Sequence, residues 1–201
     1  GSFDQACAMT PRVIHANEKM TYISAIDSSV IHLARTEDGR LYAAKSGIVV
    51  SLGRKIRCHF RIGPMLIYLT EDSLCNSKID HNLVNLLLVD SSIAKRLIRI
   101  RLERAIQLVL SRRLNNSIIL IDGSLRPSIF EDHNCTIERV IETSTLNNND
   151  VIGLSKNTNL TTLNQFEYLL KAIPYSACID TGCVIKSLVR NTLGKNMLLK
   201  L

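Results

Sequence analysis

Two aspartates in the sequence each end an apolar run that has the character of a β-strand. Asp122 closes "IILID" and is followed by Gly123 and Ser124, while Asp27 closes "ISAID" and is followed by two serines. A single aspartate in such a place is explained by an Asx turn or a helix cap. Two aspartates in the same surroundings predict that both carboxylates contribute to one shared site.

Glu103 is the third candidate for this site, because it is an acid in a basic segment. The cations of that segment are Lys95, Arg96, Arg99, Arg101, Arg104, Arg112 and Arg113. Glu103 is either the partner of Arg99, one helical turn earlier, or a ligand. Three carboxylates from separate elements are the oxygen ligands that Mg²⁺ or Mn²⁺ prefers.

The charge of the chain indicates a polyanionic partner. The formal net charge is +7 and the pI is about 9.2. Acidic metal ligands in a basic protein predict metal-assisted cleavage of a phosphodiester. Arg96 and Arg99 of the basic segment, together with nearby Arg126, would then hold the DNA backbone through sequence-independent, salt-sensitive contacts.

The elements before the basic segment read as three antiparallel strands. A strand from Met20 to Val30 carries Asp27, and Asp38-Gly39 is a hairpin turn signal. The next strand, "KIRCHFRIGPMLIYL", alternates Ile56, Cys58 and Phe60 with polar residues, as a half-buried strand does. Pro64 within it indicates an edge position or a bend.

The later elements alternate between helices and strands. Helical spacing from about Asp80 to Leu114 predicts one long helix, followed by the buried strand "SIILID". "CTIERVIETSTL" has helical spacing, "DVIGLSK" is predicted to be a short buried strand ending at Lys156, and "NQFEYLLKAI" is predicted to be a helix. The sequence therefore predicts one α/β domain over residues 20–201, preceded by an N-terminal arm over residues 1–19.

The composition excludes several classes of protein. No apolar run approaches the length needed to cross a membrane, and the N-terminus has no signal-peptide pattern. The six cysteines are scattered without a C-x-x-C pair, which argues against a zinc site and favours buried free thiols in a reducing compartment. We therefore expect a cytoplasmic protein without a membrane partner.

Four motifs together resemble a known family. "AIDSS", "RLERAIQLVL", "IILIDGSLRPS" and "VIGLSK" are similar to the NurA nuclease domain of archaeal and bacterial DNA-end processing. The resemblance covers residues 22 to 156, and "LIDGSL" and "VIGLSK" are its most specific parts. It implies an RNase H-like core, with a mixed sheet of about five strands and a long helix after the third strand.

The resemblance also implies an activity and partners. Members are Mn²⁺-dependent nucleases that act on single-stranded DNA and duplex ends in DNA repair, usually as homodimers working with the HerA translocase; a single-strand-binding protein is an alternative partner. Asp27, Glu103 and Asp122 match the acidic metal ligands of the family motifs. Lys156 matches the lysine that closes the "GxSK" strand and is a DNA-binding candidate.

The C-terminal region departs from the family pattern. The family carries a motif similar to "YPYPL" followed by "AH", of which "NQFEYLLKAIPYSACIDTG" is a remnant with Pro174-Tyr175 in place of the aromatic pair. No histidine follows His133, and Asp180 lies near the expected histidine position. Two functions therefore stay open: a metal-dependent nuclease, or a non-catalytic DNA-binding NurA paralogue that serves as an interaction module in end resection.

Overall fold

The computed structural model describes residues 11–15, 19–77, 79–155, 171–181, 193–194 and 197–200. The chain forms two compact units. The larger unit comprises Thr21–Asp122 and Pro127–Gly153, and the smaller unit comprises Gly1–Met20, Gly123–Arg126 and Leu154–Leu201. The assignment of residues 1–19 to an arm and 20–201 to one domain stays a prediction.

The elements of the described residues alternate much as the sequence predicts. In chain order they are β1 (Arg12–Val13), β2 (Tyr22–Arg35), β3 (Gly39–Leu52), β4 (Lys55–Thr70), α1 (Glu71–Asn76), α2 (His81–Val89), α3 (Ser91–Arg113), β5 (Ser117–Asp122), α4 (Ile137–Leu146), β6 (Asp150–Leu154), β7 (Ala177–Asp180) and β8 (Met197–Lys200).

The larger unit is built on a five-stranded sheet. The strand order is β4-β3-β2-β5-β6, with β2, β3 and β4 antiparallel and β5 parallel to β2. The parallel pair needs a crossover, which the helices between β4 and β5 provide. This order, with the first strand of the unit in the centre, is that of an RNase H-like core. The predicted fold class, α/β with a five-stranded mixed sheet and a long helix after the third strand, is confirmed.

The hairpin and the edge strand follow from local sequence. Strand β2 gives way to β3 through residues 36–38, where the N–H of Thr36 donates to the carbonyl of Gly39 over 2.9 Å. Strand β4 lies at the edge of the sheet, as Pro64 predicts. An edge strand can accommodate a residue that has no N–H to donate.

The single helix predicted over residues 80–114 is wrong in one respect, because two helices occupy this segment. Asp90 ends α2 and caps α3, and its carboxylate accepts from the N–H of Ser92 over 2.7 Å. The capping bond satisfies a backbone donor that the first turn of α3 would otherwise leave unpaired. The signal was present in "VDSS", an aspartate followed by two serines, but the apolar spacing runs through it.

Helix α3 packs on one face of the sheet. Its Ile106 lies in a cluster with Ile26, Ile48 and Val50 of the two central strands. A second cluster joins Ala94, Leu97 and Ile98 of α3 to Tyr42 and other residues. Full burial of one such side chain stabilises the fold by about 1.5–3 kcal/mol, so α3 is held firmly against the sheet.

Several burial predictions are wrong for the outer strands. Ile56 and Phe60 of β4 are 69% and 55% exposed. The edge strand is largely exposed, so the alternation read there does not correspond to a covered face. Strand β6, predicted to be buried, is half-buried to exposed, and β5 buries only alternate residues.

Helix α4 confirms the prediction for "CTIERVIETSTL".

The smaller unit has its own three-stranded sheet in the order β1-β7-β8. Strand β1 pairs antiparallel with β7, so part of the predicted arm forms a strand. Most of the helix predicted for "NQFEYLLKAI" lies outside the described residues.

Cysteines and membrane crossing were also predicted. Cys58, Cys75, Cys135 and Cys178 are free thiols, but none of the four is buried, because Cys75 is exposed and the other three are partly exposed. Cys7 and Cys183 lie outside the described residues. No helix in the described part of the chain is long and apolar enough to span a membrane.

Candidate active site

Asp27 and Asp122 lie on neighbouring strands at the same level. The parallel ladder between β2 and β5 pairs Tyr22 with Ser117 and continues in unbroken register to Ala25 and Leu120. The ladder ends there, and Asp27 and Asp122 each follow two residues after its last pair. Neighbouring strands are about 4.8 Å apart, so the two aspartates leave the paired part of the sheet side by side.

Both aspartates leave the same face of the sheet. Asp27 is exposed between the buried residues Ile26 and Ser28, and Asp122 is exposed after buried Ile121. Because side chains alternate along a strand, the two carboxylates point away from the face that Ile26 presents to helix α3. The opposite face, towards α3, carries the apolar core.

Glu103 belongs to helix α3, which packs on the face of the sheet opposite to the two aspartates, and its charge interacts with theirs. Burial raises the pKa of the Glu103 carboxyl; Arg99 and Arg104 oppose this rise, and the negative charges of Asp27 and Asp122 add to it. The three acids are therefore close enough for each charge to influence Glu103.

The donor chemistry of the three acids fits a hard divalent cation, because such ions take carboxylate oxygens. Within the described residues, however, no three acidic, histidine or cysteine side chains lie close enough to hold a metal ion as they stand. The three acids influence one another electrostatically but do not form a complete coordination shell.

The predicted DNA-binding arginines of α3 differ in their surroundings. Arg96 lies over the ring of Phe130, with its guanidinium carbon 5.5 Å from the ring centroid. Arg99 is exposed and close enough to Glu103 to affect its pKa. Arg126 is exposed and belongs to the smaller unit. Lys156 lies outside the described residues.

Two further arginines of α3 are structural. The Nε of Arg104 donates to the Glu131 carboxylate over 2.6 Å in an ion pair whose side chains are 9% and 4% exposed. Another nitrogen of Arg104 donates to the Gln107 amide oxygen. Arg101 donates to the carbonyl of Phe130 over 3.2 Å. These bonds fix the segment around residue 130 to α3, and they account for part of the positive charge of the helix.

A groove beside Asp27 contains residues that the sequence reading missed. It is lined by Asp27, Ser28, Ser29, Lys45, Ser46, Gly47 and Arg61. The register of the β2–β3–β4 hairpins was the signal that could have found them, because it aligns Asp27 with Gly47 and Gly47 with Arg61. Lys45 and Arg61 place positive charge on the face of the two aspartates.

Comparison with known proteins identifies the class. Residues 22–181, well over half of the chain, match the NurA domain, and the chain belongs to the NurA family. No curated protein matches the sequence. The recognition made from "AIDSS", "LIDGSL" and "VIGLSK" is confirmed.

Two solved structures are similar at a low level. A Ciona intestinalis endonuclease V in complex with DNA containing an inosine followed by a ribo-adenosine shares 18% identity, with a TM-score of 0.38 over 90% of this chain and 66% of that one. A variant of the same enzyme with a similar DNA shares 16% identity, with a TM-score of 0.39 over 92% of this chain and 70% of that one. The chain thus spans just under two thirds of the first structure's length.

Proposed function

We propose that the protein is a metal-dependent DNA nuclease in which Asp27, Glu103 and Asp122 hold Mn²⁺, or Mg²⁺ in its place. The observation that carries the proposal is the parallel pairing of β2 and β5, because the last pair, Ala25 and Leu120, lies two residues before Asp27 and Asp122. The coupling of Glu103 to both aspartates supports its inclusion. Membership of the NurA family supports DNA as the substrate.

In this proposal the acidic side chains bind the metal and the basic side chains position the DNA backbone. The bound cation would polarise the scissile phosphate and lower the pKa of a water that attacks it. Asp27 and Asp122 would supply ligand oxygens from the sheet, and Glu103 would supply a third from helix α3. Arg99 and Arg126 are exposed and would contact backbone phosphates, together with Arg96 and Lys156.

Two observations favour a second function. The described acids do not yet form a metal site as they stand, and the chain lacks a histidine after position 133. A non-catalytic NurA paralogue that binds DNA and serves as an interaction module in repair agrees with both facts. Either protein would act in the cytoplasm in DNA-end processing, as a homodimer beside a HerA-type translocase or a single-strand-binding protein.

The test is a cleavage assay on labelled single-stranded and duplex DNA with Mn²⁺, Mg²⁺ or EDTA. We expect cleavage that requires the metal and is lost in Asp122→Ala. Intact DNA under every condition, with a mobility shift that persists in EDTA, would exclude the nuclease and leave the paralogue. Light scattering on the same preparation measures whether the mass is twice 22.5 kDa.

A further inference from the structure

The groove beside Asp27 is built across three strands. In the β2–β3 ladder Asp27 is the partner of Gly47 and Ser29 is the partner of Lys45. In the β3–β4 ladder Gly47 is the partner of Arg61. Partners across an antiparallel ladder project from the same face, so all five positions share the face of the aspartates. Two strand spacings, roughly 10 Å in total, separate the backbone of Asp27 from that of Arg61.

Gly47 forms the floor of the groove without any backbone reason for a glycine. Its φ angle is not in the left-handed region, and a Cβ built on it would meet nothing within 4 Å. A glycine inside a strand weakens the strand and often marks a place where a ligand or another backbone approaches closely. Beneath it, Ser28 and Ser46 share a buried hydrogen bond of 2.6 Å that ties the two strands together. The backbone at Gly47 is therefore held in place by this bond, and the space above its Cα is unoccupied.

The cations of the groove are available to a ligand. Lys45 and Arg61 are both exposed. Within the described part of the chain, neither Lys45 nor Arg61 takes part in a side-chain hydrogen bond or ion pair, unlike Arg104, which is paired with Glu131. Two unpaired cations and an open glycine next to acids present a surface for a chain of phosphates rather than for a cation alone.

We propose that this groove binds the backbone of single-stranded DNA, with Lys45 and Arg61 contacting phosphates and Gly47 allowing the strand to lie against the sheet. The proposal deepens the proposed function and rests on it, because the groove leads the strand to Asp27. The groove is only about two strand spacings wide, which suits one strand better than a duplex. Hydroxyl groups at its edge, such as that of Ser29, can donate to phosphate oxygens.

The first test removes the two cations. Lys45→Ala/Arg61→Ala is compared with Arg54→Ala/Arg113→Ala, a control that removes the same charge from exposed positions in the β3–β4 turn and at the end of α3. The affinity for a fluorescent oligothymidylate is measured in EDTA over a salt series. We expect the groove variant to bind at least about tenfold more weakly and its salt slope to fall by about 1.4, or about 0.7 for each lost phosphate contact. Equal affinity and slope in the two variants would overturn the proposal.

The second test blocks the groove without changing charge. Gly47→Val places a β-branched side chain where a Cβ has open space, so the strand tolerates it. We expect the melting temperature to be unchanged or higher and oligothymidylate binding to fall by at least about fivefold, because the strand can no longer approach the sheet. A folded Gly47→Val protein that binds like wild type would exclude the groove.

An added variant separates this proposal from the proposed function. Asp27→Asn should bind the oligonucleotide at least as tightly as wild type while losing cleavage. If wild type cleaves and the groove variants behave like the control, the groove proposal fails alone. If the groove variants lose binding but no preparation cleaves DNA, the nuclease fails and strand binding in the groove stands.

Discussion

The molecule has two basic regions, helix α3 and the sheet face beside Asp27, and their cations differ in how many protein contacts they make. Helix α3 carries six of the fifteen arginines. Arg104 forms a buried ion pair, Arg101 donates to a backbone carbonyl and Arg96 lies over the ring of Phe130, while Arg99, Arg112 and Arg113 are exposed. The sheet face beside Asp27 carries fewer cations, yet Lys45 and Arg61 are exposed and uncommitted among the described residues. The density of positive charge along the sequence therefore does not show which cations are free of protein partners in the fold. The two regions can be compared only through the contacts of each cation.

The largest expected effect concerns the acids rather than the cations. Asp122→Asn removes one carboxylate charge while keeping the shape of the side chain. We expect the Mn²⁺-dependent cleavage rate to fall by about 1,000-fold, since a metal contributes several kcal/mol to such a reaction and each 1.4 kcal/mol is a factor of ten. Single-turnover cleavage of labelled single-stranded DNA measures it. A loss of less than tenfold would remove Asp122 from the site.

Arg104 should affect folding and not DNA binding. Arg104→Ala leaves Glu131 buried without its partner, which costs about 3–5 kcal/mol in the free energy of unfolding. Urea denaturation measures this loss. A double variant, Arg104→Met/Glu131→Leu, removes both charges and should recover most of the stability. If Arg104→Ala instead keeps its stability and loses DNA affinity, the contrast between the two basic regions is wrong.

Arg96→Ala also compares the two basic regions, with a smaller expected effect. Arg96→Ala removes a cation that lies over Phe130, whereas Lys45→Ala removes an uncommitted cation. An exposed cation–π contact is worth about 0.5–1 kcal/mol, so Arg96→Ala should lower stability slightly. We expect it to weaken oligothymidylate binding by less than about threefold and by less than Lys45→Ala does. The reverse order would place the strand along α3, where the sequence predicts it.

The sequence predicts the sheet because its strands depend on local patterns, whereas the shared site of the three acids stays a prediction. Apolar runs that end in Asp27 and Asp122 reveal two strands, and the intervening helix reveals their parallel pairing. The break at Asp90 was missed because apolar spacing continues through it. The groove was missed because Gly47 and Arg61 come together only through strand register, which no single segment encodes. The exposure of Ile56 and Phe60 depends on the edge position of β4 and cannot be read from alternation.

The pKa of Glu103 predicts a modest dependence of stability on pH. In the folded protein this pKa is raised above its ordinary value of 4.5, mainly by burial. The folded protein therefore keeps the proton to higher pH than the unfolded chain, and the free energy of unfolding falls as pH rises through this window. The Glu103→Gln variant has no carboxyl group at this position, so its free energy of unfolding does not fall for this reason as pH rises. In EDTA, its stability relative to wild type should increase as pH rises from about 4.5, the ordinary value, towards neutrality. A constant difference across that range would mean that Glu103 is not desolvated.

Binding of Mn²⁺ is the most direct test of the shared acidic site, and calorimetry measures it without DNA or turnover. Wild type should bind Mn²⁺ with heat that disappears in EDTA, and Asp27→Asn, Glu103→Gln and Asp122→Asn should each bind at least about tenfold more weakly, because each removes one of three charged oxygen ligands. Glu138→Gln, an acid of α4 outside the site, should bind like wild type. Wild type that takes up no Mn²⁺, or three variants that bind it equally well, would contradict a metal site formed by these acids.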